Sequence, residues 1–139
     1  MNASFQEKSV WVTLTCTVAM FVVYFFWAGQ MLLSGVTEVA AYVPLFAVMV
    51  VLLVVLLIAG HVAIALLGRT DDSDERDRLI AWRAEHGSSW LLAVGAIAAI
   101  FALGAPVERA WVANGLLLFL FLSEALKQAL QIYYYRRGL

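Results

Sequence analysis

Four long apolar runs, broken by one strongly charged segment, constrain this chain more than any motif within it. The runs extend from about Val10 to Leu33, Ala40 to Leu67, Ser89 to Leu103 and Ala110 to Ile132. Between the second and third, Arg69 to Glu85 holds 10 of the 19 Asp, Glu, Lys and Arg residues. A bilayer offers backbone amides no water, so an apolar stretch of about 20 residues is stable there as a helix that bonds its own N–H and C=O groups. The expected fold is therefore an all-α membrane protein. It is a four-transmembrane-helix bundle with both termini inside and a short amphipathic cytoplasmic helix at 69–86, between the second and third spans. Residues 1–139 then form one domain.

Composition supports this solvent. Hydrophobic residues make up 64% and charged residues 14% of the chain, against about 25% charged in soluble domains. The excess apolar surface must face lipid. A net charge of −1 argues against nucleic acid as a direct partner. Cys16 is the one cysteine, so an intrachain disulfide and disulfide exchange with quinones are both excluded. The first run is expected to be a retained anchor rather than a secretory signal. Its flank, Glu7 and Lys8, carries no net charge, and its 24 residues exceed the roughly 7–15 of a signal peptide's apolar core.

Local signals place the helix ends. Ser9 suits an N-cap and Ser34-Gly35 a C-terminus, while Trp11 and Trp27 mark interfacial positions. Pro44 fits a first turn, where its missing N–H costs nothing. Ala93, Gly95, Ala96, Ala98, Ala99, Ala102 and Gly104 make the third run the small-residue helix, with Gly95 and Ala99 at small-xxx-small spacing. Close backbone approach of that kind drives helix association in lipid, so this helix is expected to be the packed, central one. It should continue upstream through the charged segment with a bend near Gly87. Tyr133-Tyr134-Tyr135-Arg136-Arg137 reads as an aromatic belt with basic anchors. Asn114 and Gly115 read as close-packing positions, and Phe25, Phe26, Phe101, Phe119 and Phe121 as packing and lipid contacts.

An even number of spans puts both termini and the middle segment on one side. That side carries Lys8, Arg69, Arg76, Arg78, Arg83, Arg136 and Arg137, and the opposite loops only Arg109 beside Glu38 and Glu108. The positive-inside rule assigns the basic side to the cytoplasm.

Within the charged segment, Asp71, Asp72, Ser73 and Asp74 suit a helix start. Leu79, Ile80, Trp82 and Ala84 give an apolar side, and Asp74–Arg78 or Glu75–Arg78 pairs are within reach. Asp74-Glu75-Arg76-Asp77, Ile80 and Arg83-Ala84 together resemble the D-E-R-D-x-x-I-x-x-[KR]-A signature of the DUF2178-type family of small prokaryotic four-helix membrane proteins of unknown function. The resemblance implies a bacterial or archaeal inner-membrane location and a sensing or regulatory role, and brings no cofactor or catalytic residue with it. As a bare sequence, the segment reads either as a solvated face that sets topology or as a docking surface through Asp74, Glu75, Arg76, Asp77, Arg78 and Arg83.

The fourth run carries ionisable groups at membrane depth. Glu124, Lys127, Gln128 and Gln131 form one stripe at i, i+3, i+4 and i+7. An isolated charge at mid-membrane costs roughly 3 kcal/mol or more, so such groups find partners or water. Three readings compete: polar glue within the bundle or a homodimer seam, an early exit of the helix into water, and a proton- or ion-handling site centred on Glu124. Cys16, His61 and His86 all fall on the cytoplasmic half and are the weaker candidates for a metal or haem site; no metal or cofactor is expected.

No nucleophile with a neighbouring base, phosphate loop or ligand cluster is visible, so a non-enzymatic function is expected. The expected activity is interaction: a small inner-membrane protein that binds a cytoplasmic partner. The alternative is a small dimeric transporter or channel using Glu124. Small multidrug transporters share the size and span number, but they depend on a Glu in the first span, where this chain has no charge.

Overall fold

A computed structural model describes residues 5–67 and 74–137. The apolar runs fall in four long helices, α1 (Phe5–Leu33), α2 (Val43–Leu67), α3 (Glu75–Leu103) and α4 (Arg109–Arg137), with Ala40–Tyr42 of the second run outside its helix. A 3-10 turn at Val39–Tyr42 leads into α2. All four helices are long and apolar enough to cross a membrane, which makes this a multi-pass membrane protein. The 29 residues of α1, α3 and α4 correspond to about 43 Å at 1.5 Å per residue. Hydrocarbon is about 30 Å thick, so each of these helices either stands clear of it at the ends or tilts.

The chain punctuates the helices largely as its residues suggest. α1 closes at Gly35, whose φ of 84° is the left-handed conformation open to glycine. The Val36 N–H then donates to the Met31 carbonyl and the Gly35 N–H to the Leu32 carbonyl, satisfying groups the helix end leaves free. Pro44 sits in the first turn of α2. Ser9 does not cap α1, which begins upstream at Phe5. Glu7 suits that earlier first turn and leaves Ser9 free to bond another helix.

Among the described residues the charged segment forms no separate helix. Asp74 opens α3 with a capping box: its side chain accepts from the Asp77 N–H, and the Asp77 carboxylate accepts from the Asp74 N–H. From there Glu75–Leu103 is one α-helix. Nothing between Glu75 and Gly87 breaks helical geometry, so the charged residues become its first turns. Gly87 serves packing, since a Cβ there would stand 3.1 Å from Leu130 Cδ1 on α4. The expected cap residues Asp71, Asp72 and Ser73, and the basic anchor Arg69, lie outside the described residues.

The helices pack α3 on α4, α4 on α1 and α1 on α2. Each neighbour runs antiparallel, as the paired residues show: Asp77 with Tyr135, Glu7 with Arg136, Ser9 with His61. The spatial order is thus α2–α1–α4–α3, which corrects the expectation of a central α3. Small residues let α3 approach one partner closely, whereas α4 carries two packing stripes. Ala110, Asn114 and Phe121 meet α1, and Phe119, Ser123 and Leu130 meet α3.

The core sits between α1, α4 and the 3-10 turn, where Tyr24, Ala28, Tyr42 and Ala110 are buried against Phe25, Phe46 and Leu117. Tyr24 donates to Asn114 Oδ1 at 2.9 Å, and Asn114 Nδ2 donates to the Ala110 carbonyl at 2.9 Å. Phe26 and Phe101 face outward. The most apolar stretch of α2 buries no residue at all, as a helix bathed in lipid should.

Candidate functional site: a charged cluster between the third and fourth helices

Gly87, Ser88 and Gly95 on α3 bring its backbone close to α4. An added Cβ at Gly95 would overlap the Phe119 side chain. Ser123 Oγ donates to the Ser88 carbonyl at 3.0 Å, and Ser88 Oγ to the Glu85 carbonyl at 3.1 Å. This close seam carries Glu85 to within reach of Lys127, eight residues before Tyr135 and so about 12 Å along the helix from it.

Lys127 is the hub. Its Nζ lies 2.8 and 2.7 Å from the two Glu124 carboxylate oxygens and 3.3 Å from Glu85 Oε2. The lysine side chain is 22% exposed, Glu124 42% and Glu85 64%. Two carboxylates around one ammonium give the cluster a net charge of −1 when all three are ionised. Such a group ties α3 to α4 and can exchange partners about the ammonium. Of the expected stripe, Gln128 is buried, whereas Glu124, Lys127 and Gln131 are half-buried. Gln128 Oε1 has no hydrogen-bond donor among the described residues. Sequence reasoning missed Glu85, because only the α3–α4 register brings it beside a lysine 42 positions later.

At the end of the molecule that holds the start of α1 and the end of α4, a second set of contacts gathers the helices. Tyr135 OH donates to Asp77 Oδ1 at 2.9 Å. Arg136 Nε lies 3.5 Å from Glu7 Oε1, and its guanidinium stands 5.4 Å from the Trp11 ring centre. Arg137 lies 5.0 Å over Tyr133. Of the expected docking residues, Asp74, Glu75, Arg76, Arg78 and Arg83 are exposed and Asp77 is half-buried. Among the described residues Arg78 forms an ion pair with neither Asp74 nor Glu75. The capping box holds the Asp74 carboxylate instead.

Cys16, His61 and His86 are not brought together, and no group of three or more His, Cys, Asp or Glu converges among the described residues. His61 joins α2 to α1: its Nδ1 lies 2.7 Å from the Leu57 carbonyl and its Nε2 2.8 Å from Ser9 Oγ. A carbonyl only accepts, so Nδ1 carries a proton and donates to it. His86 stacks on Trp82 with ring centres 5.6 Å apart and planes at 15°. Asn114 packs as expected. Gly115 does not, since a Cβ there would meet nothing within 4 Å.

No family model, curated protein or solved structure matches this chain. The likeness over Asp74–Ala84 rests on those residues alone.

Proposed function

We propose that this chain is a non-enzymatic protein of the bacterial or archaeal inner membrane that acts by holding a cytoplasmic protein partner on the start of α3. The observation that carries the reading is the way this charged helix start is held. Its capping box closes its first turn, and the Asp77–Tyr135 bond and the Glu85–Lys127 pair fasten it to α4, while Glu75, Arg76, Arg78 and Arg83 stay exposed. A merely solvated face needs no such fastening, whereas a preorganised one loses less entropy when a partner binds. The lysine and arginine bias supports placing this end, with both termini, in the cytoplasm.

Crosslinking in membranes tests the reading. A photoreactive residue at Glu75 should capture one discrete cytoplasmic protein. Glu75→Lys with Arg76→Glu should abolish the capture at unchanged expression. Capture that is absent or indiscriminate overturns the reading.

One observation favours a second reading, a small dimeric transporter or channel. Lys127 is flanked by Glu124 and Glu85 within the apolar length of α4, and charges at such depth mark ion or proton pathways. This reading predicts pH-dependent flux in liposomes that is lost in Glu124→Gln, where the docking reading predicts none.

A further inference from the structure

The outward face of α3 combines three features, of which the docking reading uses only the exposed arginines. The first is height. The Asp77–Tyr135 and Glu85–Lys127 pairs set the register of α3 on α4, which brings Trp82 to within about one helical turn of Tyr133. Trp11 lies beneath Arg136, three residues beyond Tyr133. Trp11, Trp82 and Tyr133 are 41%, 63% and 46% exposed. Exposed aromatic rings at one height mark the level where hydrocarbon meets headgroups.

The second feature is charge. The segment is rich in acids, yet most of those described are engaged within the protein. The cap holds Asp74, the cap and Tyr135 hold Asp77, and Lys127 holds Glu85. Arg78 and Arg83 are exposed and form no ion pair among the described residues. They flank Trp82, whose ring is set by its stack on His86. Glu75 is the exposed acid left on this face, about one turn nearer the helix end than Arg78. The chemistry offered beside the aromatic belt is therefore cationic, although the local composition is not.

The third feature is the surface below the arginines. Trp82, Trp90 and Ile97 are all exposed, and their spacing places them in one stripe that runs down α3 from the level of the arginines. A soluble anion has no use for that stripe, but an acyl chain does.

We propose that the outward face of α3 binds an anionic phospholipid, with its headgroup phosphate between Arg78 and Arg83 at the level of Trp82 and an acyl chain along Trp90 and Ile97. Long arginine stems reach the phosphate by running along the apolar surface, and each basic residue near an anionic headgroup favours it by about fivefold in affinity.

The test uses the full chain in nanodiscs of phosphatidylcholine, with brominated phosphatidylglycerol or brominated phosphatidylcholine as the quencher. The component of tryptophan fluorescence that is lost in Trp82→Phe should be quenched at several-fold lower mole fraction by the phosphatidylglycerol. Arg78→Gln with Arg83→Gln should remove that preference, Arg78→Lys with Arg83→Lys should retain most of it, and free inorganic phosphate should not compete. Equal quenching of the wild type by the two lipids overturns the proposal, and this arm needs no variant of the arginines to fold. Full competition by phosphate overturns it in favour of a soluble-anion site. A preference abolished by the Glu75→Lys, Arg76→Glu pair but retained in Arg78→Gln, Arg83→Gln overturns it in favour of protein-type docking.

Discussion

Lys127 of α4 reaches Glu85 of α3 at 3.3 Å while it holds Glu124 on its own helix at 2.7 Å. One ammonium thus joins two helices. Replacing it with Met should leave two carboxylates without their counter-ion. The expected cost is about 1–3 kcal/mol, because unpaired charges in the apolar layer are expensive and these two are partly exposed. Unfolding in mixed detergent micelles measures it. A double-mutant cycle between Glu85→Gln and Lys127→Met should give a coupling of about 0.5–1 kcal/mol, and a coupling of zero contradicts the bridge.

Gly95 is where α3 and α4 come closest. Gly95→Ala puts a methyl into the Phe119 side chain and should destabilise by about 1–3 kcal/mol, as overpacking does. Combining it with Phe119→Ala should restore part of the loss. Gly115→Ala is the control: with nothing within 4 Å of the new Cβ, it should be neutral or stabilise by up to about 1 kcal/mol from helix propensity. Equal losses at the two glycines would refute the packing difference.

Tyr24 and Asn114 form the buried polar link between α1 and α4. Tyr24→Phe removes the donor and should cost about 0.6 kcal/mol, the average for interhelical hydrogen bonds in membranes, and no more than about 1.7 kcal/mol. Asn114→Leu in the Tyr24→Phe background should add less than it does alone. Additive losses, read from the same unfolding transitions, would contradict the bond.

Asp77 serves both the capping box and Tyr135. Tyr135→Phe should loosen the start of α3 from α4 by about 1 kcal/mol. Asp77→Ala should cost a further ~1 kcal/mol through the cap. Hydrogen exchange of residues 75–80 should rise in both variants and more in Asp77→Ala. Unchanged exchange would show that these contacts do not hold the segment.

The architecture was legible because hydrocarbon leaves few alternatives. Long apolar runs must be helices, and Gly35, Pro44 and Asp74 carry end signals that act locally. What sequence could not show is which helix sits beside which. The small face around Gly95 identifies a close contact but not its partner, so α3 reads as central when α1 and α4 are the helices packed on two sides. Ser9 looks like a cap because the apolar run begins there, yet the helix starts at Phe5 and Ser9 bonds His61 instead. The same limit governs the site. Glu124 and Lys127 share one helix and their i,i+3 pairing can be read directly, whereas Glu85 joins them only through the register of α3 on α4.

Sided labelling tests the central claim, that four spans thread a bilayer with the basic end in the cytoplasm. In a Cys16→Ser background, single cysteines at Lys8, Glu38, Arg76, Glu108 and Arg137 are treated on intact cells and on inverted vesicles with a membrane-impermeant maleimide. Labelling of positions 38 and 108 from outside, and of 8, 76 and 137 only from the cytoplasmic side, is the predicted result. Labelling of 38 and 76 from the same side would contradict it.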